Sequence, residues 1–215
     1  MMLEIAQFAI KTIICFLIIS VGLSFFHWKR LPSTFQRLAF YLCLNLLVEI
    51  ALRIMSPYKL NNLPLLHVYT LPEFILFSWI YRSMGIFDKW SSQQFWTFVT
   101  VVAALIVANS LFLQSIFIYN SYAKSLVQAC LVFYSIAYIF QLRPQTPSYQ
   151  ALNILNTAVL TYYAGSSFIF MAGNVALLIE NSEVIWVLNV AFIVIFQCLV
   201  LASIWRMSRV RQFMA

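Results

Sequence analysis

Residues 184–205 read VIWVLNVAFIVIFQCLVLASIW, a run with no charged side chain. A helix rises about 1.5 Å per residue, so this run as a helix matches the roughly 30 Å hydrocarbon core of a bilayer. Lipid offers backbone N–H and C=O groups no partner, and the run is too long and too unalternating for a barrel strand, which leaves the helix. Similar runs lie at 5–26, 38–55, 66–86, 95–113, 122–141 and 152–179. Of the 215 residues, 63% are hydrophobic and 9% charged, with mean hydropathy +0.90. A soluble domain carries roughly a quarter charged residues, and no polar block between the runs is large enough to fold in water. The expectation is an all-α polytopic membrane protein, with residues 1–215 forming a single domain of seven transmembrane helices.

The first run has Glu4 ahead of it instead of a basic segment, and no small-residue cleavage site follows. It therefore reads as a retained helix, with an uncleaved signal anchor as the alternative. Cys15, Cys43, Cys130 and Cys198 each fall inside a run without CxxC spacing and read as packed thiols. Basic residues set the orientation. The loops after runs one, three and five hold Lys29, Arg30, Arg37, Arg82, Lys89 and Arg143, and the tail holds Arg206, Arg209 and Arg211. The opposite side holds Glu4, Lys59, Glu180 and Glu183. The positive-inside rule puts the N-terminus outside and the C-terminus in the cytoplasm, as a multi-pass protein of a cell inner membrane. This distribution accounts for the formal net charge of +7, and nucleic acid is not an expected partner. Trp28, Trp90, Trp96, Trp186 and Trp205 sit near run ends, where an indole anchors at the headgroups.

Run six is longer than a straight crossing needs and is rich in small and hydroxyl residues. Thr157, Thr161 and Gly165 recur at i+4, as do Ala172 and Ala176, and Ala104 with Ala108 in run four. Such spacing lets helices approach closely, and Gly165 with Gly173 leaves room for a tilt or kink.

Ionisable side chains at membrane depth are costly and face the bundle interior, paired or lining a wet cavity. In run two, Asn45, Glu49 and Arg53 form one helical stripe at i, i+4 and i+8. By helical rise, Lys11 and Glu49 lie about 9 Å below the outer surface and Glu73 about 10 Å. Tyr69 shares a face with Glu73, His67 sits at the mouth, and Lys124 begins run five on the same side. Pro64 and Pro72 suit a loop turning into run three. Two readings stay open. In one, Lys11, Asn45, Glu49, Arg53, His67, Tyr69 and Glu73 form an outward-facing polar pocket, which Asn109, Asn174 and Asn189 extend. In the other, Glu49 with Arg53 and Glu73 with Lys11 are buried ion pairs that fix helix register, while Lys124 snorkels to the headgroups.

Several chemistries are excluded by what is missing. Run seven has no lysine for a retinal Schiff base, and His27 and His67 belong to opposite membrane sides, so no three-ligand zinc site can assemble. No GxSxG or Walker glycine run occurs among four glycines. Neither catalytic activity nor a metal or cofactor is expected.

The stretch from Asn45 and Glu49 through Asn61, Asn62, Leu63, Pro64, His67, Tyr69, Thr70 and Glu73 resembles poorly characterised seven-helix membrane proteins of Bacteroidetes-type bacteria. Some of those form the membrane sensor region of kinases. The resemblance implies a sensory or accessory role in an inner membrane. Because the chain stops at Ala215, soon after run seven, a kinase domain is not expected and output would pass to a separate protein. The expected function is receptor-like: recognition of a small polar ligand or partner in the outer pocket. A small-solute or proton-coupled transporter, or a scaffold subunit of a membrane complex, is the alternative. The expected partners are the lipid bilayer, a small polar ligand and a cytoplasmic or membrane protein.

Overall fold

Within the described residues each apolar run is helical, run six as far as Met171. The computed structural model describes residues 2–141, 146–171 and 182–210, and within them there is no strand. The helices are α1 (Met2–Phe26), α2 (Ser33–Met55), α3 (Leu63–Ser83), α4 (Ser92–Ala108), α5 (Ser121–Ile139), α6 (Pro147–Met171) and α7 (Ser182–Val210). Arg143, Ala172, Gly173, Asn174, Ala176, Glu180 and Arg211 lie outside the described residues.

Local chemistry sets the helix ends. Pro32 precedes α2 with extended backbone, and Pro64 sits in the first turn of α3, where a missing N–H costs nothing. Asn61 Oδ1 accepts the Leu63 amide at 2.9 Å, closing the turn into α3. At the other end of α3, Gly85 takes φ 84°, its amide bonds the Arg82 carbonyl, and the Ile86 amide bonds Tyr81. This is the paired-bond stop that favours glycine. Ser91 and Gln94 form a reciprocal capping box at the start of α4. A single π turn, Asn109–Leu113, ends that helix.

Five segments are long and apolar enough to cross a membrane: Ser33–Tyr58, Leu63–Ser83, Ser92–Leu113, Ser121–Ile139 and Val187–Val210. Lys11–Phe26 is a shorter apolar helix. The helix of run six carries several polar side chains along its length. It packs between α5 and α7, and its polar side chains find partners there: Asn153 with Tyr138, Asn156 with Tyr81, and Ser166 with Gln128. A helix walled by protein needs less apolar surface than one walled by lipid.

The packing order is α1–α2–α3–α5–α6–α7 and back to α1, a ring of six helices with α4 outside it against α3. Direction alternates along the chain, so in this ring α3 with α5 and α7 with α1 are parallel neighbours and the other neighbours are antiparallel. The N-terminal ends of α1, α3, α5 and α7 therefore share one end with the C-terminal ends of α2 and α6. Phe35, Leu38, Leu42, Phe74, Phe77 and Leu131 fill the interior with almost no exposure. Gly165 of α6 is the small residue that permits close approach, since a Cβ there would fall on the Phe192 ring of α7. Ala104, by contrast, is exposed on the outer face of α4 and makes no such contact.

Candidate functional site

The ring encloses a cavity of about 270 Å³ at the end where α1, α3, α5 and α7 begin. All six ring helices line it. α1 contributes Ile13 and Leu17, α2 Tyr41, Asn45 and Glu49, and α3 Tyr69, Thr70 and Glu73. α5 contributes Lys124, α6 Tyr162 and Phe170, and α7 Asn189, Phe196 and Gln197.

On one wall stands a closed polar cluster. Glu73, 1% exposed, forms an ion pair with Lys124 through Oε2. Its other oxygen accepts the Tyr163 hydroxyl at 2.8 Å and lies 3.3 Å from the Tyr69 hydroxyl. Tyr69 has one hydroxyl proton, and the shorter contact, 2.8 Å to Asn45 Oδ1, is the better place for it. The Lys124 ammonium also lies 5.3 Å from the Tyr69 ring and 5.5 Å from the Phe170 ring, within cation–π range. A lysine in the first turns of α5 opposes the helix dipole, so the Glu73 charge is what holds it there.

The arrangement corrects two sequence expectations. Glu73 is neutralised by Lys124 and not by Lys11, which is exposed, and Lys124 is buried instead of snorkelling. Glu49 and Arg53 make no ion pair either. Among the described residues Glu73–Lys124 is the one pair within 4.0 Å, and Arg53 is exposed. Depth along each helix was readable, but which helices neighbour each other was not.

Of the expected pocket residues, the structure brings Asn45, Glu49, Tyr69 and Glu73 to one cavity wall, with Asn189 opposite. Lys11, Arg53, His67 and Asn109 do not line it. His67 is buried and works as a clip: Nδ1 lies 2.9 Å from Ser110 Oγ and Nε2 3.1 Å from the Ile118 carbonyl. A neutral ring with the proton on Nε2 satisfies both contacts. Asn109 sits in the same loop network, donating to Gln114 and Asn120, while Asn120 donates to Thr70. These bonds tie the 114–120 connection to α3 and so fix where α5 starts and where Lys124 emerges.

Three groups on the cavity wall differ from this closed cluster. Glu49 is half-buried and has no hydrogen-bond or ion-pair partner among the described residues. The side-chain oxygens of Asn189 and Gln197 are buried without a partner, although these residues are only 8% and 2% exposed. Gln197 was overlooked in the sequence. Its signal was present, because it follows Asn189 by eight positions on the same face of a run otherwise almost wholly apolar.

Below the cavity an aromatic layer closes the ring. Tyr41 and Phe77 ring centres are 4.4 Å apart, Phe77 and Tyr163 5.4 Å, and Tyr162 and Phe196 5.3 Å. Further down, Tyr81 bonds Ser135 at 2.6 Å and Asn156 at 2.8 Å, and Ser78 bonds Tyr134 at 3.2 Å. Basic residues gather at that far end. Arg37 donates to the Trp79 carbonyl and covers its ring at 4.5 Å, and Arg82 covers Phe95 at 4.5 Å. No His, Cys, Asp and Glu group suited to a metal ion occurs among the described residues.

No protein-family model matches this chain, and neither a curated protein nor a solved structure is similar to it.

Proposed function

We propose that the chain is a seven-span inner-membrane protein, cavity end outside and basic end in the cytoplasm, that binds a small polar ligand without catalysing a reaction. The observation that carries this reading is the cavity with unpartnered Glu49, Asn189 and Gln197 on its wall. Buried polar atoms lacking a partner are a standing cost, and a bound ligand removes it. The orientation rests on Lys29, Arg30, Arg37, Arg82, Lys89, Arg206 and Arg209, all at the end opposite the cavity. Acid–base catalysis is disfavoured because Glu73 is already committed to Lys124, Tyr163 and Tyr69, leaving Glu49 without a second free carboxylate.

The role is receptor-like or sensory. A ligand that prefers one arrangement of α2 and α7 shifts the helix packing by its differential affinity, and a separate cytoplasmic or membrane protein takes the output. A carrier is the second reading. It is favoured by the polar contacts that continue below the aromatic layer, Tyr81 to Ser135 at 2.6 Å and Tyr81 to Asn156 at 2.8 Å. Those side chains bond mainly to each other, which suits helix register better than passage of a solute.

The test is thiol accessibility in a variant with the four native cysteines replaced by serine. With Val48→Cys on the cavity wall, a membrane-impermeant methanethiosulfonate added to intact cells should label the protein. Labelling only in inverted vesicles would reverse the orientation, and labelling from neither side would remove the accessible cavity.

A further inference from the structure

The geometry points to a small organic cation as the ligand: a protonated amine on an apolar body that carries a second hydrogen-bond donor. This inference rests on the cavity reading above and names the chemical class of its occupant.

Among the described residues, the wall carboxylate without an ion pair and the buried wall oxygens without a partner are acceptors. Glu49 presents a carboxylate, and Asn189 and Gln197 present carbonyl oxygens. Of the nearby donors, the Lys124 ammonium is spent on Glu73, the Tyr69 hydroxyl on Asn45, and the Asn120 amide on Thr70. The formal charges of the wall are Glu73, Lys124 and Glu49, which leave one net negative charge. Lys11 and Arg53, the other cations at this end of α1 and α2, are exposed and off the wall. A carboxylate ligand would meet Glu49 with no free cation on the wall to offset it, since Lys124 is held by Glu73. A cation meets a charge and an acceptor of the right sign, in a setting where charge-assisted hydrogen bonds are strongest.

The spacing of the acceptors shapes the rest of the ligand. Asn189 and Gln197 are two turns apart on α7, about 12 Å along its axis, so one ammonium cannot serve both. The cationic end belongs near Glu49 and Asn189 in the outer part of the cavity, and a second donor at the far end of the molecule reaches Gln197. Between them the wall is aromatic and aliphatic, with Tyr41, Tyr162 and Phe196 at the floor. An aromatic or branched aliphatic body packs there, and a cavity of about 270 Å³ admits a molecule of that class but not a peptide or nucleotide.

Four probes of matched shape test this on the full chain purified in detergent, by calorimetry and thermal shift. Tyramine carries the ammonium and a distal hydroxyl, and phenethylamine lacks the hydroxyl. Tyrosol replaces the ammonium by a neutral hydroxyl, and 3-(4-hydroxyphenyl)propanoate replaces it by an anion. Tyramine should bind at least about tenfold more tightly than tyrosol, and the anion should not bind. Glu49→Gln should lower tyramine affinity to that of tyrosol and leave tyrosol unchanged, while Gln197→Ala should weaken tyramine and not phenethylamine. Equal or tighter binding of tyrosol or the anion overturns the cation assignment. Failure of all four probes also overturns it, and labelling of Val48→Cys from outside then leaves the cavity reading intact. If that label fails too, both readings fall.

Discussion

Lys124, near the start of α5, reaches Glu73 in the middle of α3 and neutralises it where neither side chain meets solvent. The pair joins two helices far apart in sequence, and removing one partner strands the other charge. Lys124→Met and Glu73→Gln should each lower stability by about 3–5 kcal/mol. The double variant should recover much of that loss, because no unpaired charge is left behind. Thermal melts of the three variants in one mild detergent measure the coupling. A double-variant loss equal to the sum of the two single losses would mean the pair is not formed.

Glu49 should behave in the opposite way. It is half-buried, without an ion pair among the described residues, and on the cavity wall, so its charge is held at a desolvation cost that the field of the exposed Arg53 offsets only in part. Glu49→Gln should melt at or above the wild-type temperature when no ligand is present. A marked loss would show that Glu49 has a structural partner and would weaken its assignment to ligand recognition.

His67, off the cavity wall, acts as a positioning clip. Both ring nitrogens are engaged, one with Ser110 beyond α4 and one with the Ile118 carbonyl before α5. His67→Leu keeps the bulk and removes both bonds, which should cost about 1–3 kcal/mol. Because the clip fixes the entry to α5, amide exchange should quicken in the 114–120 connection before it quickens in α5. Uniform loss of protection along the whole chain would instead mark a general destabilisation.

The helices were legible in the sequence because lipid allows an apolar run of this length few conformations, and each run became a helix. The contents of the site were legible in part. Lys11, Glu49 and Glu73 could be placed at one level, with Tyr69 above them, because helical rise converts position into depth. Which cation reached Glu73 was not legible, since Lys11 and Lys124 lie on the same side and depth says nothing about which helices are neighbours. The ring order decides it: α5 packs against α3, whereas α1 packs against α2 and α7. His67 shows the same limit. Its place near the loop was readable, but its turn toward Ser110 and Ile118 depends on α4 lying outside the ring against α3. Gln197 needed only closer attention to the period of run seven.

Gly165 offers a test of the α6–α7 contact that forms one side of the cavity. A Cβ at this position would fall on the Phe192 ring, so Gly165→Ala forces that ring or the whole helix to move. Overpacking of this kind costs about 1–3 kcal/mol. Shortening the obstructing side chain should relieve it, so Gly165→Ala with Phe192→Leu should be more stable than Gly165→Ala alone, although Phe192→Leu by itself removes packing. That reversal of sign, measured by thermal melting across the four-member cycle, is specific to direct contact. If Phe192→Leu is equally destabilising in both backgrounds, the two residues do not touch, and the close approach of α6 to α7 at this level is wrong.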